Sequence, residues 1–193
     1  AYQSLIRSVR QQYHRRIATA LEERFPAIAG AQPEVVAHHY AEAGLAVRAV
    51  EYWAEAGDRA RDRSAMAEAR AHLERGIGLL ESVPDGQERD GMELRLVMGL
   101  AGTLVALVGY AAPGVADLCE RARELAVALD RPSDLGAIML GSAVSAMLRG
   151  DLQDAHGYGV ELLDIATHTD ETAIMAGAHF VLGMTTANFG RLL

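Results

Sequence analysis

Between residues 36 and 56 the chain reads Val36-Ala37, Tyr40, Gly44, Ala49, Trp53 and Ala56, an order of large, small, aromatic, turn glycine, small, large, small. Small side chains let two helices approach closely, large ones fill the space beside the contact, and a glycine between them reverses the chain. These are the requirements of two antiparallel helices. The remainder of the sequence agrees. Apolar and polar residues never alternate for more than a few positions, and Ala, Leu, Glu, Arg and Met dominate, so strands have no signal and helices have a strong one. The chain is therefore predicted to be all-α.

Breaks fall at 25–33, 44, about 64, 82–91, 109–113, 130–133, 150 and about 169, which leaves roughly eight or nine helices. Pro33 suits a first helical turn, where its missing N–H would have no partner, and Gly150-Asp151 reads as a left-handed helix stop followed by an N-cap. Short turns between long helices imply antiparallel neighbours. In the first helix Leu5, Val9, Tyr13, Ile17 and Leu21 recur every four residues, with Arg7, Arg10, Arg15 and Arg16 spread over the rest. This helix is expected to pack through that apolar row. It is also the one basic part of the chain. Residues 1–25 carry five Arg and two Glu, net +3, so the other 168 carry −11 of the total −8. We divide the chain into a basic amphipathic helix with its linker, 1–32, and helical repeats, 33–193.

All 18 basic residues are Arg, so a Walker phosphate loop and any Schiff-base mechanism lack their lysine. The net acidic charge argues against a nucleic-acid binder and against an anionic membrane as partner, because phosphates are neutralised by a concentrated excess of Arg or Lys. Cys119 is alone and has no cysteine to pair with, and closely spaced Cys and His ligands for structural zinc are missing, so a reducing, cytoplasmic setting is expected. The longest apolar stretch, Leu96–Val108, is too short for a bilayer and reads as a buried helix. Residues 1–5 open into amphipathic sequence without the zones of a signal peptide.

Echoes of the 36–56 pattern follow. Ala69, Leu73 and Gly76 repeat its second half, Arg121-Ala122-Arg123-Glu124-Leu125 looks like its end, Gly150 with Ala155 repeats the turn, and Leu182-Gly183 with Gly190 starts another pair. Ala49 and Ala69 are 20 residues apart, and Gly150 and Gly190 are 40 apart. The pattern resembles the tetratricopeptide repeat with an irregular period, which implies helix pairs stacked as a degenerate right-handed solenoid. A narrower resemblance rests on the opening residues 1–18, Leu21-Glu22, Ala37-His38-His39-Tyr40-Ala41-Glu42-Ala43-Gly44, the run Ala49 to Arg63 with Tyr52-Trp53, and Gly109-Tyr110-Ala111-Ala112-Pro113. These resemble the segment after the ATPase module in bacterial STAND-type signalling proteins that carry a nucleotide cyclase or DNA-binding domain. In that family the ATPase and cyclase residues lie upstream, so none is carried over; the resemblance implies a role in sensing, autoinhibition or assembly. It also makes 1–32 the junction to a missing ATPase module and 33–193 a repeat array cut off at its C-terminus.

No catalytic, cofactor-binding or metal-binding set emerges. Adjacent His38 and His39 diverge by about 100° on a helix and do not chelate one ion together, and the other histidines are scattered. Glu34, His38 and Glu42, spaced by four, share a face that could line a groove, with no nucleophile placed beside it. Asp117 and Glu120 beside Cys119 favour an inert thiol. The rows Leu140, Val144, Met147 and Phe180, Met184 are either core or the apolar floor of a groove. The expected function is a non-enzymatic interaction and regulatory module of a multidomain ATPase-type regulator, which binds a protein segment or a neighbouring domain. The second reading is a sensor holding an apolar small molecule. An uncapped last helix, with Phe180, Leu182, Met184 and Phe189, is expected to self-associate as a homodimer.

Overall fold

The computed structural model describes residues 2–110, 112–169 and 171–190; the side chains of Leu5 and Phe189, both placed in apolar rows above, lie outside the described residues. Among the described residues there are ten α-helices and no strand: α1 (Tyr2–Arg24), α2 (Pro26–Ala31), α3 (Pro33–Glu42), α4 (Ala46–Asp62), α5 (Met66–Leu79), α6 (Gln87–Val108), α7 (Val115–Ala128), α8 (Pro132–Arg149), α9 (Leu152–Thr169) and α10 (Thr172–Phe189). The all-α expectation holds. Helix α2 occupies a stretch read as linker, and Pro26 and Pro33 stand in the first turns of α2 and α3, where a missing N–H costs nothing.

Four helix ends share one stop. Gly44, Ser64, Asp130 and Gly150 adopt left-handed φ values of 74°, 60°, 52° and 84°. In each case the next N–H reaches back to the carbonyl five residues earlier: Leu45 to Tyr40, Ala65 to Ala60, Arg131 to Ala126 and Asp151 to Ala146. This double closure satisfies the last carbonyls of the helix and turns the chain sharply. The stops stand in two pairs, each pair 20 residues apart, and so mark out helix, turn, helix at a common length.

The chain forms two compact units, residues 1–103 and 104–193. In the first, α1 and α2 pack against α3, α3 against α4, and α4 against α5. Its core joins Ala18, Val36, Ala37, Tyr40, Ala49, Trp53 and Ala56. Tyr40 and Trp53 are buried with Ala49 and Ala56, as the repeat pattern requires. Gly57 lies under Leu73, and Gly76 under Leu96. Helix α6 is the one described helix long and apolar enough to cross a membrane by length and composition. Leu94, Leu96, Val97, Leu100 and Thr103 are nevertheless buried within the protein, and the Thr103 hydroxyl donates to the Gly99 carbonyl at 2.7 Å; Leu107 and Val108 are 42% and 67% exposed, so the stretch 96–108, expected to be buried, is buried only in its first part.

In the second unit α8 packs against α7, α9 and α10, and α9 against α10. Met139, Ala143, Leu162, Ala166, Ile174, Ala178 and Val181 form its core. Gly136 admits Ile174, and Gly177 admits Leu140. Thr185 is fully buried, donating to the Val181 carbonyl at 2.9 Å and facing His156 Nδ1 at 2.9 Å.

Helix α1 departs from the sequence reading. Val9, Tyr13 and Ile17, expected to pack inward, are 48%, 60% and 42% exposed, and Ile6 beside them is 55% exposed. The side turned to α3 holds Ala18, fully buried, with half-buried Gln11, His14, Leu21 and Glu22. The reason is the surface α3 offers: His39, Glu42 and Tyr40 provide polar partners for His14, Arg10 and Glu22. Close approach then falls to alanine rather than to the larger apolar row.

Candidate interaction surface

The inward side of α1 is held by two polar clusters. In one, Glu22 accepts hydrogen bonds from the Tyr40 hydroxyl, from the Tyr52 hydroxyl at 2.7 Å, and from Arg48, so one carboxylate ties α1 to α3 and α4. Tyr40 and Tyr52 stack at 5.8 Å between centroids, and the Arg48 guanidinium lies 5.5 Å from each ring. Burial alone would raise the Glu22 carboxyl. The two tyrosine hydroxyls and Arg48 outweigh it and hold the carboxyl below its ordinary range. Burial, reinforced by Glu22, pushes both tyrosines up.

In the other cluster His14 Nδ1 meets His39 Nδ1 at 2.9 Å, so one ring donates and the other must be neutral to accept. The His38 ring lies 6.0 Å from His14 and 5.6 Å from His39. Burial, then the charges of His14 and His38, lowers the pKa of His39. The sequence reading set His38 and His39 apart by about 100° and counted His14 among scattered histidines, whereas the fold brings His14 from another helix beside both. Among the described residues no group of three His, Cys, Asp or Glu is arranged to hold a metal ion.

The candidate groove residues are distributed as follows. On α3 Glu34 and Glu42 are half-buried and His38 is exposed, while Arg10 of α1 reaches Glu42 at 3.6 Å. In the second unit Leu140, Val144 and Met147 are half-buried, with Leu140 and Met147 packed on the core cluster. Phe180 and Met184 are 55% and 45% exposed on α10. Cys119 is half-buried, and burial raises its thiol pKa, which disfavours the reactive thiolate.

The outward side of α1 is the one candidate surface that sequence reasoning assigned to the opposite role. Ile6, Val9, Tyr13 and Ile17 form an apolar ridge along α1, and Phe25 and Ile28, beyond the end of that helix, are also exposed, at 52% and 46%. A shallow groove runs beside it, lined by Gln12, Arg15, Arg16, Thr19, Glu23 and Arg24. The amphipathic row itself was legible; its outward direction depended on the polar side chains of α3.

No family model matches the chain. No solved structure matches it. An uncharacterized protein of Rhizobium meliloti is 31% identical over 125 residues, which is 65% of this chain and 12% of that protein. The matched part of this chain thus spans about an eighth of its relative's length.

Proposed function

We propose that this chain is a non-enzymatic interaction module, a tetratricopeptide-like stack of antiparallel helix pairs within a longer STAND-type signalling protein. Its role is to bind a protein segment or a neighbouring domain of the same polypeptide. The observation that carries this reading is the outward apolar ridge of α1, because a helix that buries polar residues and exposes Ile6, Val9, Tyr13 and Ile17 leaves a surface that a partner can cover. The paired stops 20 residues apart and the small residues at the helix crossings support the repeat architecture. The relative, in which the matching region fills 12% of the length, supports a place within a much larger protein. The exposed Phe180 and Met184 on α10 supply a second face, through which the module self-associates.

Hydroxyl-radical footprinting tests the reading. Tyr13, Ile17, Phe180 and Met184 should be oxidised readily in the isolated chain and protected in the longer natural polypeptide or its complexes. Equal oxidation of all four in both states would overturn it.

A further inference from the structure

We propose that the outer face of α1 docks an acidic amphipathic helix from a partner protein. The partner's apolar side would rest on Ile6, Val9, Tyr13 and Ile17, and its carboxylates on Arg16 and Arg24. The proposal rests on the interaction-module reading and adds the chemistry of the partner.

Shape is the first argument. From Ile6 to Ile17 the ridge runs about 16 Å, or three helical turns, with intervals of three, four and four residues. Such a row fits the groove between ridges of a second helix. Charge is the second. Arg16 and Arg24 are exposed, stand on the same side of α1 as the ridge and make no ion pair among the described residues. Glu23 is the one acid lining the groove beside the ridge. Arg16 and Arg24 outnumber Glu23 on this side of α1, so the face attracts an acidic partner, while the rest of the chain beyond residue 25, net −11, repels it.

A protein helix fits better than a lipid surface. Interfacial helices immerse a broad apolar face, whereas this ridge is one side chain wide and has polar shoulders at Gln12 and Thr19 that can hydrogen-bond to a partner. A second copy docking through α10 would bring no charge to the arginines, because α10 has no charged residue.

The test uses three fluorescent helical peptides, each about 18 residues long, that share a leucine ridge and differ only in having Glu, Gln or Lys on its flanks. Anisotropy with the whole chain should show the Glu peptide binding about tenfold tighter than the Gln peptide. That advantage should shrink between about 50 mM and 500 mM NaCl, and vanish in the Arg16→Glu, Arg24→Glu double variant. Tyr13→Asp should weaken all three peptides, with unchanged circular dichroism. Equal binding of the three peptides, lost in Tyr13→Asp, would overturn the acidic partner and leave the module reading intact. No binding by any peptide would also overturn the acidic-helix partner, while the module reading stands or falls with the protection of α1 in the longer polypeptide. Binding to phosphatidylserine vesicles without binding of the Glu peptide would overturn the proposal in favour of a membrane. A dimer lost in Tyr13→Asp, again without Glu-peptide binding, would overturn it in favour of a second copy.

Discussion

His72 is 7% exposed, and neither ring nitrogen has a hydrogen-bond partner among the described residues. Its ring stacks on Trp53 at 5.4 Å, with the Arg75 guanidinium 5.1 Å from the indole centroid, while Glu68 stands 3.5 Å from Nε2, too far for a strong bond. An unmet buried polar group costs stability that an apolar ring of the same shape does not. His72→Phe should therefore melt at or above the wild-type temperature; a loss of more than about 1 kcal/mol would mean that His72 has a partner. Glycines divide by the same logic. A Cβ at Gly57 would stand 2.6 Å from Leu73 Cγ, inside the core, whereas one at Gly141 meets nothing within 4 Å. Gly57→Ala should cost about 1 to 3 kcal/mol, and Gly141→Ala should add up to about 1 kcal/mol through helix propensity. Chemical denaturation of the two variants in parallel decides the matter. None of these differences is visible in the sequence, where Gly57 and Gly141 are each a small residue in a helical stretch.

At the scale of the element, the four shared stops were legible as breaks, but only two of them carry glycine. Ser64 and Asp130 hold left-handed φ values of 60° and 52°, a conformation that crowds Cβ against the backbone. Ser64→Gly and Asp130→Gly should each stabilise by up to about 1 kcal/mol, while Gly150→Ala should destabilise by a similar amount; thermal melts would check all three. The attachment of α1 to α3 should depend on pH in two windows. His39 has a folded pKa below its ordinary 6.5. The unfolded chain therefore takes up its proton first on acidification, and stability present at neutral pH falls as pH drops through 6.5 and below. Glu22, lowered from 4.5, contributes stability above that value that is lost as pH falls through and below it. Urea titrations across this range should show both declines. His39→Gln should flatten the upper one, and Glu22→Gln should reduce the lower one. An unchanged upper decline in His39→Gln would show that the histidine contact does not hold α1.

At the scale of the molecule, the exposed Phe180 and Met184 predict self-association. Sedimentation should show a concentration-dependent dimer that Phe180→Asp with Met184→Asp abolishes. A monomer at about 100 µM would remove α10 from the interaction surfaces. By itself the sequence determined the all-helical class, the four shared helix stops and the tight pairing around Tyr40 and Trp53. Those features rest on local propensity, on helix stops and on spacing within one or two helices, which are interactions between near neighbours. The tertiary structure alone decided which side of α1 faces inward, that His14 meets His39 across 25 positions, and that Glu22 joins three helices. An amphipathic row states that a helix has two sides. Which side is buried depends on the neighbour, and α3 presented histidine, tyrosine and glutamate where an apolar surface would have drawn the ridge in.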